Sequence, residues 1–359
     1  MPRDTAQAAP WLQRLPSRPI TAGDRASDWR WPAVEGAPSW CDSLRDAAVR
    51  VFIAGATGVV GRRLIPRLVD DGHEVAAMTR KPERAHALKV LGAMPVVCDA
   101  YDRARLIKVL ADSHSEVVIH LLTDLPERFS PREGTPTTDR LRREGTANLV
   151  AAARAAGARR IIAESIAFLY RPGGPGLRNE DDAPWLDAPG PFGRTVAAAV
   201  NLEQQVMQAP ALDGVILRFG WLYGPGTWYA RDGSIAHDVR RGGYPIVGSG
   251  RGTWSFIHVD DAASAIVAAA GHDPPGIYNI VDDDPARMNT WLPAFARAIG
   301  APNPPYIHHS LTRSAADGAA LTIASQLAGA SNAKAKNELG WVPEYSSWRT
   351  ALGAVQKLA

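Results

Sequence analysis

The strongest constraint on the fold of this chain is a glycine-spaced turn, Gly55-Ala56-Thr57-Gly58-Val59-Val60-Gly61, which directly follows the apolar run Val49–Ala54 and opens an amphipathic stretch, Gly61–Asp71. Each glycine answers a separate steric demand. The first permits a tight turn at a strand end, the second lets backbone N–H groups approach a pyrophosphate, and the third lets the helix lie close on the strand with its N-terminus toward negative charge. A second β-branched run, Glu74–Thr79, ends about twenty residues later, the spacing of a dinucleotide-binding unit. Where an NAD site would carry a carboxylate for the adenosine ribose diol, the chain has Thr79 and Arg80. A guanidinium offers paired donors to a 2′-phosphate, so the expected cofactor is NADP(H), with Arg62 or Lys81 as second contacts.

Short apolar runs at Pro95–Cys98, Val117–Leu122, Arg160–Ala163 and Val215–Phe219 continue the pattern. They alternate with helical stretches at Pro82–Leu91, Arg103–Ser113, Asp139–Ala156 and Thr195–Gln208, each long enough to cross a sheet face. The expected class is α/β: a Rossmann-like doubly wound parallel sheet with a smaller C-terminal substrate-binding lobe. Residues 1–47, rich in Pro and Arg and holding Trp11, Trp29, Trp31 and Trp40 without periodicity, read as an extension. The expected nucleotide-binding domain is 48–225 and the lobe 226–359, with 255–270 returning to the first domain.

Composition narrows the function classes. Forty Lys+Arg against 37 Asp+Glu leave a net charge of +3, too balanced for a chain that binds nucleic acid by neutralising phosphates. No run of 18 apolar residues occurs, and Arg and Pro interrupt the start where a signal peptide would be apolar, so no membrane partner and a cytoplasmic location are expected. Two cysteines, Cys41 and Cys98, and no His-Glu-x-x-His pattern give no metal site.

Further along, the residues resemble the extended branch of the short-chain dehydrogenase/reductase superfamily, the NAD-dependent epimerase/dehydratase group. The likeness runs from about Val49 to Gly340 through the glycine turn, Gly145-Thr146-Ala147-Asn148, Leu217-Arg218, Tyr223-Gly224-Pro225, Phe256-Ile257-His258-Val259-Asp260-Asp261 and Asn332 to Trp341. It implies that Asp99, after the third strand, contacts adenine. Leu121, at the end of the fourth strand, joins the cofactor groove. It also implies a homodimer through the helices 139–156 and 195–208. This sequence departs from the family at the catalytic pair, a Tyr and a Lys four residues apart. The matching positions hold Phe192 and Val196, neither of which can move a proton. No Tyr in the chain has Lys four residues later. The family's Ser/Thr falls on Ile166, with Ser165 one position early, where strand alternation turns it to the opposite face. Members acting on nucleotide sugars have Asn and Arg where this chain has Trp221 and Trp254.

These departures set the expectations for chemistry. Indoles in place of an amide and a cation suit a neutral aromatic or polycyclic substrate, contacted by Phe192, Trp221 and Trp254. Thr123, Ser165, Tyr170 and Tyr223, on loops at the strand ends, are the candidate donors to a developing alkoxide, Tyr170 and Tyr223 foremost. His120 reads as a core histidine, and Asp260 and Asp261 as helix caps. The expected function is an NADPH-dependent reduction of a carbonyl or enone. Two other readings stand beside it: a non-redox isomerase, epimerase or cyclase on the same scaffold, and an NADP(H)-sensing binding protein.

Overall fold

The computed structural model describes residues 48–350 apart from 129, 131–132, 174–175, 272–273 and 309–314, and no side chain of 315–320. The Trp-rich extension 1–47, with Cys41, lies outside the described residues.

Six strands, β1 (Arg50–Ala54), β2 (Glu74–Thr79), β3 (Met94–Val97), β4 (Val117–His120), β5 (Arg160–Ile166) and β6 (Asp213–Phe219), join a later strand, Gly276–Ile280, in one sheet. From one edge the order is β3, β2, β1, β4, β5, β6 and Gly276–Ile280, and every neighbouring pair is parallel. The direction of the crossovers reverses between β1 and β4, so the strand ends there flank an open crevice, the place where such sheets bind ligands.

Alternation along β1 decides which helices cover which face. Val51 and Ile53 pack with Leu64, Ile65 and Leu68 of α1 (Gly61–Asp70), whereas Phe52 and Ala54 pack on the opposite side. That side holds Leu106 and Leu110 of α3 (Arg103–Ser113), which follows the short α2 (Ala85–Val90). Each such side chain, fully removed from water, contributes about 1.5–3 kcal/mol. The α3 helix starts where the Asp102 carboxylate accepts from the amide of Arg105 at 3.0 Å, and stops at His114, whose φ of 48° takes the chain out of the helix. After β4 come α4 (Pro136–Arg140) and α5 (Thr146–Ala155), and after β5 the long α6 (Gly190–Met207).

The third core is aromatic. Trp221, Tyr229, Trp254, Phe256, Trp291, Phe295 and Trp348 pack together beside the sheet. The lobe is tied to the sheet domain by a parallel pair, Trp221–Tyr223 with Phe256–His258. The chain then returns. The helix Val259–Gly271 packs on α1, where Arg63 Nε meets Asp260 Oδ1 at 3.0 Å, and Gly276–Ile280 bonds to β6 as the sheet's edge. The second acid of that helix start does more than cap: the two Asp261 oxygens accept from the amides of Glu344 and Tyr345 at 2.9 and 3.0 Å, fastening the later chain to the sheet domain. Among the described residues no helix is long and apolar enough to cross a membrane.

Candidate active site

A cavity of about 490 Å³ opens at the carboxyl ends of β1, β4, β5 and β6. Gly58 and Val59 border it at one end, and Phe168, Phe192, Trp221 and Trp228 wall it at the other. The glycine turn and the apolar chamber are thus one continuous space. Phe168 stacks on Trp221 with ring centres 4.1 Å apart and planes 13° apart. Trp254 lies behind Trp221 at 4.5 Å and does not reach the cavity. Of the expected substrate contacts, Phe192 and Trp221 line the space and Trp254 only backs it.

The turn fits a dinucleotide on steric grounds. Gly55 has φ of +94°, and a Cβ there would lie 2.3 Å from the carbonyl oxygen of Leu121. A Cβ on Gly61 would lie 2.6 Å from the carbonyl oxygen of Ala56. Thr57 is half-buried and Gly58 exposed at the crest, and the amides of Val59 and Val60 find no acceptor within the described residues. Free amides at the start of α1 are what a pyrophosphate requires. Leu121 is therefore a backbone wall for the turn. Asp99 is exposed after β3, with one oxygen taking the amide of Tyr101 at 2.9 Å.

Arg80 is where the sequence places it, but it is not free. Its guanidinium meets Asp124 Oδ1 at 3.2 Å. Asp124 follows β4, so only the fold brings this carboxylate across to the end of β2. A 2′-phosphate at that point would meet a cation already neutralised and an anion beside it.

The four candidate donors separate. Thr123 borders the cavity, and among the described residues no hydrogen bond engages its hydroxyl. Ser165 touches the cavity wall, but β5 continues through Ile166, so alternation turns its hydroxyl toward α6, where it donates to Glu203 Oε1 at 2.6 Å. Tyr170 does not border the cavity. Its hydroxyl donates to Asn279 Oδ1 at 2.6 Å and accepts from Arg218 Nη1 at 2.7 Å. Arg218 also grips Glu203 through Nε at 2.9 Å and Nη2 at 2.7 Å, which makes Ser165, Glu203, Arg218, Tyr170 and Asn279 one buried network. Burial pushes the Tyr170 phenol up to about 12 against the opposing pull of Arg218. Tyr223 is buried in the aromatic core behind the cavity, and burial with nearby carboxylates raises its phenol further. Neither Tyr stands where it could reach a substrate in the chamber. His120 is a core residue, as the sequence suggests: its Nε2 is bonded to the Thr146 hydroxyl at 2.8 Å, its Nδ1 accepts from the amide of Leu122 at 3.2 Å, and burial lowers it to about 4.

Phe192 and the fully buried Val196 occupy α6 where the family's proton relay would stand. Among the described residues four ionisable groups border the chamber, none of which the sequence reading singled out: the exposed Glu127, the buried phenol of Tyr229, and Arg142 and Glu164. Burial pushes the Glu164 carboxyl up to about 7, although Arg142 pulls it down. The available signal was a charged residue inside an apolar strand, Ile161-Ile162-Ala163-Glu164-Ser165-Ile166.

Comparison with known proteins places this geometry. Residues 51–281 match the NAD dependent epimerase/dehydratase family. A Streptomyces sp. protein named 3-diazoavenalumate denitrifying reductase is 44% identical over 307 residues, 85% of this chain and 99% of the relative. The UDP-glucose 4-epimerase of Mycolicibacterium smegmatis is 26% identical over 82% of this chain and 94% of its own. A solved structure, MoeE5 in complex with UDP-glucuronic acid and NAD, superposes with a TM-score of 0.64 at 24% identity, covering 86% of this chain and 99% of that one. These findings correct two expectations. The expectation of NADP(H) is corrected: the solved structure described above is a complex with NAD, and in this chain the arginine expected to meet a 2′-phosphate is paired with Asp124. The expected NADPH-dependent carbonyl or enone reductase acting on a neutral aromatic or polycyclic compound is corrected with it: the relatives described above are named for nucleotide sugars and a diazo acid, and the buried Arg142 borders the chamber. By the match over residues 51–281 and the 44% identity along nearly the whole of a relative, the chain belongs to the NAD-dependent epimerase/dehydratase family.

Proposed function

We propose that the protein is a nicotinamide-dinucleotide-linked reductase that removes a diazo group from a substrate bearing a carboxylate, the kind of reaction for which the Streptomyces relative is named. The observation that carries this reading is the apolar pair Phe192 and Val196 where a carbonyl reductase keeps its proton relay. When bound, the reduced dinucleotide supplies hydride, and a diazonium accepting it leaves as R–H and N2, a balance that consumes no proton. A carbonyl, by contrast, becomes an alkoxide and needs a donor. The chain's part is positioning and exclusion. The turn 55–61 and the amides of Val59 and Val60 would hold the pyrophosphate. Phe192, Phe168 and Trp221 keep water from an electrophile that hydrolyses readily, and their flat faces orient it.

The test is to supply NADH and 4-carboxybenzenediazonium to the purified protein. Expected are NADH oxidation above the rate without protein, equimolar N2, and transfer of deuterium from C4-deuterated NADH to the carbon that lost nitrogen. Hydrogen arriving from solvent instead would overturn the reading. A second reading, epimerisation of a nucleotide sugar with the dinucleotide recycled, is favoured by the match along nearly the full length of the UDP-glucose 4-epimerase. It predicts conversion of UDP-glucose at constant NADH absorbance.

A further inference from the structure

The chamber floor holds a charge couple for which hydride delivery has no use. Arg142 lies in a wide helical turn, Leu141–Gly145, between α4 and α5, where the amide of Thr146 bonds back to the carbonyl of Leu141. Such a turn inserts one residue into the helical ladder, re-aims the side chains it carries, and recurs at functional sites. Arg142 is 5% exposed and borders the cavity. Among the described residues Arg142 donates no hydrogen bond, and no carboxylate oxygen comes within the 4.0 Å of an ion pair.

Its acidic neighbours are engaged elsewhere or stand off. On α4, Asp139 accepts from the hydroxyls of Thr135 and Thr195 at 3.2 and 3.3 Å. On α6, Glu203 is held by Arg218 and Ser165. Glu164 of β5 faces Arg142 across the floor, and no hydrogen bond reaches its carboxylate among the described residues. An arginine taken out of water with no carboxylate bonded to its guanidinium is costly, and its fork is shaped for two carboxylate oxygens.

Building on the reading of this chamber as the substrate pocket, we propose that Arg142 anchors a carboxylate of the substrate, so that the pocket selects flat organic acids over their neutral esters. The Phe168 and Trp221 faces supply the flatness requirement, and Arg142 the charge requirement. Glu164 sets a limit on this selection, because an ionised carboxylate on the same floor repels an incoming anion. Burial, by holding Glu164 partly protonated near neutral pH, softens that repulsion.

The experiment uses cinnamate and methyl cinnamate as probes, titrated into the full chain and followed by quenching of tryptophan fluorescence, of which Trp221 stands in the wall. Wild type should bind cinnamate at least 10-fold more tightly than the ester. Arg142→Leu should weaken cinnamate by 10-fold or more and leave the ester within 2-fold. Arg142→Lys, which keeps charge without the fork, should fall between the two and serves if the Leu variant fails to fold. Glu164→Gln should tighten cinnamate at pH 7.5. Equal binding of acid and ester by wild type, or cinnamate affinity unchanged in a folded Arg142→Leu that still binds NAD, would overturn the proposal. Retained acid selection with no turnover of the diazonium would sink the proposed reaction alone. Turnover in Arg142→Leu with unchanged KM would sink only the anchor.

Discussion

Replacing Tyr170 by Phe decides whether this phenol is machinery or framework. The substitution removes one oxygen and leaves the ring in place. Two bonds go: Arg218 Nη1 to the hydroxyl at 2.7 Å and the hydroxyl to Asn279 Oδ1 at 2.6 Å. Both partners stay buried, Arg218 at 4% and Asn279 at 0% exposure, so no water replaces the lost oxygen. A hydrogen bond to a charged group contributes about 1.5–3 kcal/mol and a neutral one about 0.5–1.5, and orphaning a buried partner raises the cost toward the upper values. Against this, Nη1 keeps a long bond to the Glu180 carbonyl at 3.3 Å, and the Glu203 pair is untouched. The expected loss is about 2–4 kcal/mol, read as a lower urea midpoint at unchanged slope. Turnover per folded molecule should stay within 2-fold, because the hydroxyl does not border the chamber. A tenfold fall in turnover with the midpoint unmoved would refute this account and return Tyr170 to the reaction.

Further tests bear on the other assignments. Gly55→Ala should abolish dinucleotide binding measured by calorimetry, since its Cβ would stand 2.3 Å from the Leu121 carbonyl oxygen at a φ of +94°; retained affinity would mean the turn is not the cradle. Arg80→Ala should change the ratio of NADPH to NADH affinity by less than 3-fold because Asp124 already neutralises the guanidinium, and a tenfold loss confined to NADPH would restore a 2′-phosphate role. Phe192→Tyr should not accelerate diazonium turnover, whereas a tenfold gain would show that the reaction does need a donor. His120, neutral and lowered to about 4, should show no NMR titration above pH 5. Because its folded value lies below the unfolded value of 6.5, the unfolded chain binds more protons between them, and this group's contribution to stability is present above 6.5 and lost as pH falls toward 4. A midpoint near 6.5 in the native protein would contradict its burial.

Nearest-neighbour chemistry was enough for much of the architecture. The glycine spacing of 55–61, the apolar run that forms β1 and the span of α3 depend on residues adjacent in the chain, and each is found where the pattern puts it. The absence of a Tyr–Lys pair was also plain, since a phenyl and an isopropyl group cannot exchange protons in any fold. The sequence did not reveal which charges meet. Arg80 looked like a phosphate ligand until the sheet order carried Asp124 to it, and Tyr170 looked like a donor until β6 and the strand Gly276–Ile280 supplied Arg218 and Asn279. Arg142 and Glu164 belong to a helix and a strand that share a cavity only after the crossover is made and a wide turn re-aims the arginine. Local patterning therefore determined the scaffold and the nucleotide cradle by itself. The electrostatics of the chamber belonged to the tertiary structure, because charge interactions act through space between elements whose distance no sequence spacing prescribes.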